Sequence, residues 1–142
     1  MMIRKTVAVL MIGITVAFAL TGCGGSDGAA EKKVDVDLTA MSGTMVYSEV
    51  SHLMNTPEEY MGKTVKMKGE AASYKDESTG KEYYACIIKD ATACCTQGLE
   101  YELASGDGYP EDGSEITVVG VVNKYEEDGL PYTVLEKAEM VK

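Results

Sequence analysis

The chain has no tryptophan, a single phenylalanine and a single histidine, His52. With one imidazole and no Gly-x-Ser-x-Gly elbow, it lacks the parts of a Ser-His-Asp hydrolase. No Cys-x-x-Cys pair is present, which removes the usual signature of a dithiol oxidoreductase. No other acid–base or nucleophile constellation takes their place, so an enzyme is not expected. Basic residues are also scarce, with 13 Lys and Arg against 23 Asp and Glu and a net charge of −10. A surface of that sign repels phosphate backbones, so nucleic acid is expected to be excluded as a partner while cations and basic proteins are admitted. Long apolar runs are missing too. The 14-residue stretch from Val7 to Leu20 falls short of the ~20 residues a spanning helix needs.

That stretch has another use. Arg4 and Lys5 precede it, and Leu20-Thr21-Gly22-Cys23 closes it with small residues before a cysteine. A charged start, a short apolar segment and a small-residue cleavage site make a secretory signal. The terminal Leu-Thr-Gly-Cys makes it a lipobox. Residues 1–22 are therefore expected to be a lipoprotein signal peptide. Cys23 would become the first mature residue, carrying lipid on its sulfur with acyl chains of the palmitate type. The alternative is an ordinary secreted protein with a cysteine after its cleavage site. In the lipoprotein reading the lipid bilayer is a partner through Cys23, and the protein sits on the extracytoplasmic face of the cell membrane. Loss of Arg4 and Lys5 brings the mature charge to about −12, from −10 for the whole chain.

Residues 23–40 read as a flexible tether, glycine-rich at first and then charged with little apolar content. Residues 41–142 read as the folded domain. Val46, Val50, Leu53 and Met54 share one helical face in a short helix between Tyr47 and Tyr60, with Ser48 as N-cap and Asn55-Thr56-Pro57 as the break. From Lys63 the period becomes two, with Val65, Met67 and Ala71 on one side. Further strands are expected at Tyr83–Ile88, Glu100–Leu103, Ile116–Val122 and Tyr132–Leu135. Two of the five are interrupted by a glycine, Gly69 and Gly120, as strands that coil round a small barrel require. The expected class is mainly β: a small five-stranded OB-like Greek-key barrel preceded by one short helix. A plain antiparallel sheet with one packed helix is the alternative.

The run Pro57-Glu58-Glu59-Tyr60-Met61-Gly62-Lys63 into Val65-Lys66-Met67-Lys68-Gly69, together with Tyr84-Ala85-Cys86-Ile87-Ile88 and Ala93-Cys94-Cys95, resembles small uncharacterised OB-fold lipoproteins of Gram-positive bacteria. More distantly, the Pro-Glu-Glu-Tyr-x-Gly-Lys segment and the Cys-Cys pair resemble the extracytoplasmic domain of a permease-associated membrane-protein family. That second resemblance implies a membrane permease or another envelope protein as partner and a link to metal homeostasis. Neither resemblance supplies catalytic residues.

Once Cys23 is assigned to lipid, Cys86, Cys94 and Cys95 remain, an odd number for an exported domain. Three thiolates could hold Zn²⁺ or Cu(I), with His52 as a weaker candidate for a fourth ligand. Against this, adjacent cysteines do not easily present both sulfurs to one tetrahedral ion. A disulfide from Cys86 to Cys94 or Cys95 would instead staple the loop and leave one thiol over. The third outcome is reduced cysteines packed as small apolar residues. Tyr74, Tyr83, Tyr84 and Tyr125 could line a barrel face for stacking, or simply pack across strands. The segment Asp107–Gly113 has acids but not the alternating carboxylates of a calcium loop. The sequence thus points to a membrane-anchored extracytoplasmic binding module, built around the three cysteines and serving an envelope transport or sensing system. The alternative is a structural or protein-interaction domain whose cysteines form a bridge or pack in the core.

Overall fold

The sheet is organised around the strand expected from Lys63 onward. The structure, a computed structural model, describes residues 33–141; the leader, the lipobox and Cys23 lie outside the described residues. In chain order the elements are β1 (Val36–Asp37), a 3₁₀ turn (Leu38–Ala40), α1 (Gly43–Asn55), a second 3₁₀ turn (Pro57–Glu59), β2 (Thr64–Lys75), β3 (Glu82–Lys89), β4 (Thr96–Leu103), β5 (Glu115–Glu127) and β6 (Leu130–Met140).

β2 serves two long neighbours. Its first half, Thr64 to Glu70, pairs antiparallel with Val121 to Glu115 of β5, and its second half, Glu70 to Lys75, pairs with Ile87 to Glu82 of β3. The exchange of partners falls at Gly69-Glu70. β3 pairs antiparallel with β4, β4 lies parallel to β6, and β6 returns antiparallel to β5. The five long strands therefore close into a ring, β2-β3-β4-β6-β5 and back to β2. The mainly β class expected from the sequence holds. The ring is not a regular barrel, because register breaks between Tyr101 and Leu103 and between Val119 and Val121 interrupt its stagger.

Both glycine interruptions have a steric cause. A Cβ on Gly69 would overlap the carbonyl oxygen of Ile87 and come within 2.8 Å of Cys86 Sγ; one on Gly120 would lie 2.8 Å from Leu135 Cβ. Real Cβ atoms do not approach so closely, so these positions let adjacent strands meet where the ring bends. Inside it, Val65, Met67, Cys86, Leu99, Tyr101, Val118, Val122 and Leu135 are buried. α1 lies against β3 and β4 and adds Val50 and Leu53 to the same core.

Two boundaries and one burial differ from expectation. Val36 and Asp37 pair in parallel with Val65 and Lys66, and Leu38 is buried, so the last five residues assigned to the tether belong to the fold. A short run with one apolar anchor carries too little periodicity to be recognised alone. α1 starts at Gly43, with Ser42 at its N-cap, six residues before the expected Ser48. Met54 is exposed rather than in the core, whereas Val50 and Leu53 are inside as expected.

Candidate metal centre

β3 ends at Lys89, and the chain turns at once into the segment that carries the cysteine pair. The Asp90 N–H donates to the Cys95 carbonyl at 2.9 Å, which closes the loop between β3 and β4. Inside it the Ala93 N–H donates to the Asp90 carbonyl, and Ala93 adopts φ 54°. The Asp90 carboxylate fills the interior of the turn. Its Oδ1 accepts from the backbone N–H groups of Cys94 at 2.9 Å and Cys95 at 3.3 Å, while the Cys94 thiol donates to Oδ2 at 3.3 Å. The Thr92 hydroxyl lies 2.8 Å from Asp90 Oδ2 and 3.0 Å from Cys94 Sγ. Asp90 thus locks the turn through side-chain-to-backbone bonds four and five residues on.

This turn brings the sulfurs together. Cys94 Sγ and Cys95 Sγ are 3.6 Å apart, and one donor atom each from Asp90, Cys94 and Cys95 falls within 4.8 Å of the others. A tetrahedral ion with zinc–sulfur bonds of about 2.3 Å holds its sulfurs about 3.8 Å apart. The neighbouring thiols thus stand near the required spacing. Two sulfurs and a carboxylate leave a fourth position open. Cys94 and Cys95 are exposed, so an ion would reach them from solvent without rearrangement of the fold.

The electrostatics of the loop suit a cation. The Asp90 carboxyl is held below its usual range, chiefly by the Thr92 hydroxyl, against burial, and with further help from the Cys95 N–H, the Cys94 thiol and the Cys94 N–H. The Cys95 thiol is pushed up by its hydrogen bond with Cys94, by partial desolvation and by the Asp90 charge. A bound cation reverses the last of these effects, since coordination favours the thiolate.

The other two candidate ligands are elsewhere. Cys86 is central in β3, opposite Ala71 on one side and Leu99 on the other, and is 0 % exposed. Burial pushes its thiol up to about 12. The three-cysteine cluster is therefore corrected: Cys86 faces the core and the adjacent pair faces solvent, because strand alternation commits Cys86 inward before the chain turns. All three are free thiols, so no disulfide joins them. His52 is exposed on α1, where its Nδ1 lies 2.8 Å from the Tyr60 hydroxyl. That hydroxyl donates to Glu49 Oε1 at 2.6 Å, and His52 Nε2 is 3.9 Å from Glu59. His52 thus belongs to a network at the end of its own helix and is not among the converging donors. The residue that sequence reasoning missed is Asp90. The signal was available in Asp90-Ala91-Thr92-Ala93-Cys94, an aspartate that turns the chain back towards a thiol.

No known family profile matches this sequence, and no curated protein matches it. Among solved structures it is similar to a presumed nucleic acid-binding lipoprotein from Klebsiella pneumoniae subsp. pneumoniae, at 20% identity and a TM-score of 0.39, over 66% of this chain and 82% of that one. A likeness of that size assigns neither a ligand nor a family. The kinships expected with Gram-positive lipoproteins and with permease-associated domains gain no support from it. One expectation is corrected. Net charge was read as excluding nucleic acid, yet a lipoprotein of similar structure is presumed to bind it. A whole-molecule charge does not describe any one face, and the exclusion is withdrawn. Among the described residues no helix is long and apolar enough to cross a membrane.

Proposed function

We propose that the protein is a lipid-anchored, extracytoplasmic binding module that takes up a thiophilic metal ion, Zn²⁺ before Cu(I), through Asp90, Cys94 and Cys95. The observation that carries this reading is the convergence of those three donors within 4.8 Å at an exposed turn. Residues 1–22 are its signal peptide, Cys23 its lipid attachment point, and the glycine-rich segment after it a tether to the bilayer. The mixed sulfur and oxygen set favours borderline Zn²⁺. Three protein ligands with an open fourth position suit a site that passes its ion on, as an envelope transport or sensing system requires. Nothing in the reading calls for catalysis.

Two experiments test it. Zinc titration of the full chain in detergent, followed with a chromophoric chelator, should show one ion per chain, lost in both Cys94→Ser and Cys95→Ser. Absence of stoichiometric binding by the folded, reduced protein would reject the metal reading and leave a structural or interaction domain. Partitioning of the expressed protein into the detergent phase should disappear in Cys23→Ser.

A further inference from the structure

A second feature lies away from the cysteine turn. The β2–β3 and β5–β6 hairpins both carry tyrosines near their tips as cross-strand pairs: Tyr74 opposite Tyr83 and Tyr125 opposite Tyr132. The first pair has ring centroids 6.2 Å apart and the second is stacked at 5.3 Å. Between the two hairpins runs a cleft of about 430 Å³, walled by Tyr74, Tyr83, Tyr132 and Met54 with Glu100 of β4 among its lining residues. It continues into a smaller recess of about 250 Å³, where Tyr125 joins the walls and Asp76, Glu127 and Asp128 add carboxylates.

Three features of this cleft exceed what packing explains. Tyr74 is 67% exposed, Met54 44% and Tyr132 41%, so large apolar side chains are left facing solvent along one groove. Every charged residue lining the cleft and its recess is acidic. The molecule itself also shows what such a surface accepts. Lys81 Nζ lies 4.4 Å from the Tyr83 ring centre and 5.0 Å from that of Tyr125, and pairs with Glu127 at 3.2 Å. An ammonium group is thus already seated against two of these rings and one of these carboxylates, on the flank of the cleft. Ring faces carry negative quadrupole charge and attract cations most strongly where water is displaced.

We propose that the cleft between the hairpins binds an organic ammonium group, with Tyr74, Tyr83 and Tyr132 as its walls and Glu100 as its counter-charge. Glu100 fits the part. Its carboxylate accepts from the Tyr125 hydroxyl at 2.7 Å, and burial outweighs that bond in pushing its pKa up. The Lys81 charge offsets that burial only in part, and an incoming cation adds to the compensation of a half-buried carboxylate. The occupant is either a small quaternary amine or a lysine side chain of a basic partner, and the shared chemistry is the ammonium.

The test uses the full chain in a nonionic detergent and follows Tyr fluorescence or amide chemical shifts. Choline and a trilysine amide represent the two sources, and 3,3-dimethyl-1-butanol is the neutral isostere of choline. Saturable binding of choline or trilysine is expected, with the neutral isostere at least tenfold weaker. Whichever ammonium binds more tightly identifies the source. Tyr132→Ala should weaken binding about three- to tenfold, the size of one partly exposed cation–π contact. Tyr132→Phe keeps the ring and should retain affinity, while Glu100→Gln should lose as much as Tyr132→Ala. Equal affinity for the neutral isostere would overturn the proposal, as would an oligothymidylate that binds where both ammonium probes fail. Binding by neither ammonium probe to protein shown folded by circular dichroism would overturn it too.

Discussion

Replacing Cys86 by serine separates a core cysteine from a ligand cysteine. Cys86 is 0 % exposed and faces Ala71 and Leu99 across the sheet, with its sulfur filling the space left by Gly69. Serine changes one atom and puts a hydroxyl where the sulfur sat. A buried polar group without a partner costs about 1–3 kcal/mol, and the lost sulfur packing adds a smaller amount. The variant should therefore lose about 2–3 kcal/mol. For a domain of this size 1 kcal/mol moves the melting midpoint by about 4–8 °C, so a fall on the order of 10–20 °C is expected. Cys86→Ala leaves only a small void and should lose about 1 kcal/mol. Cys94→Ser and Cys95→Ser, at exposed positions, should stay within about 0.5 kcal/mol of the parent. Urea and thermal unfolding followed by far-ultraviolet circular dichroism measure all four, with Tyr fluorescence as a second probe because the chain has no Trp. A Cys86→Ser protein as stable as its parent would refute the placement of this sulfur in an apolar core. So would zinc binding lost in Cys86→Ala and kept in Cys94→Ser.

Gly69→Ala should cost about 3 kcal/mol or more, because the added Cβ overlaps the Ile87 backbone oxygen and no rotamer relieves it; Gly43→Ala, at the open start of α1, should be neutral or gain up to about 1 kcal/mol in the same unfolding assay. In the full chain with Cys23→Ser, a thiol reagent at pH 8 should modify two cysteines while the protein is folded and the third only after unfolding, since Cys86 is buried and its thiol is pushed up to about 12. Alkaline pH should destabilise the fold. Cys86, Tyr60 and Tyr101 are all raised to about 12, chiefly by burial, from ordinary values of 9.0 for the thiol and 10.0 for the phenols. Their stabilising effect is complete below about pH 9 and is lost as pH rises towards 12, because the unfolded chain gives up these protons first. Urea midpoints measured between pH 8 and 11 should fall, and phenolate absorbance should show these tyrosines ionising late.

Much of the fold was legible because its signals are periodic. Val65, Met67 and Ala71 alternate, and Gly69 and Gly120 interrupt strands where the ring brings neighbouring strands into contact. Residues 36–40 were not legible, since one buried leucine in an acidic stretch looks the same as a tether. The strands β5 and β6 run longer than their apolar content suggests. Their outer ends, Lys124 to Glu127 and Leu130 to Thr133, are held by each other rather than by the core. The candidate site was half legible. Cys94 and Cys95 stood out by adjacency, but the count of three obscured the alternation that turns Cys86 inward. Asp90 went unseen because its role depends on the turn that its own carboxylate builds.

The central claim concerns which atoms hold the ion, and zinc-edge X-ray absorption of the loaded protein measures them directly. Two sulfurs at about 2.3 Å, with the remaining first-shell scatterers oxygen at about 2.0–2.2 Å, are expected from Cys94, Cys95, Asp90 and solvent. Cys86→Ala should leave that spectrum unchanged. A first shell of three sulfurs, or one without sulfur, would contradict the assignment of the site to the Asp90–Cys95 turn.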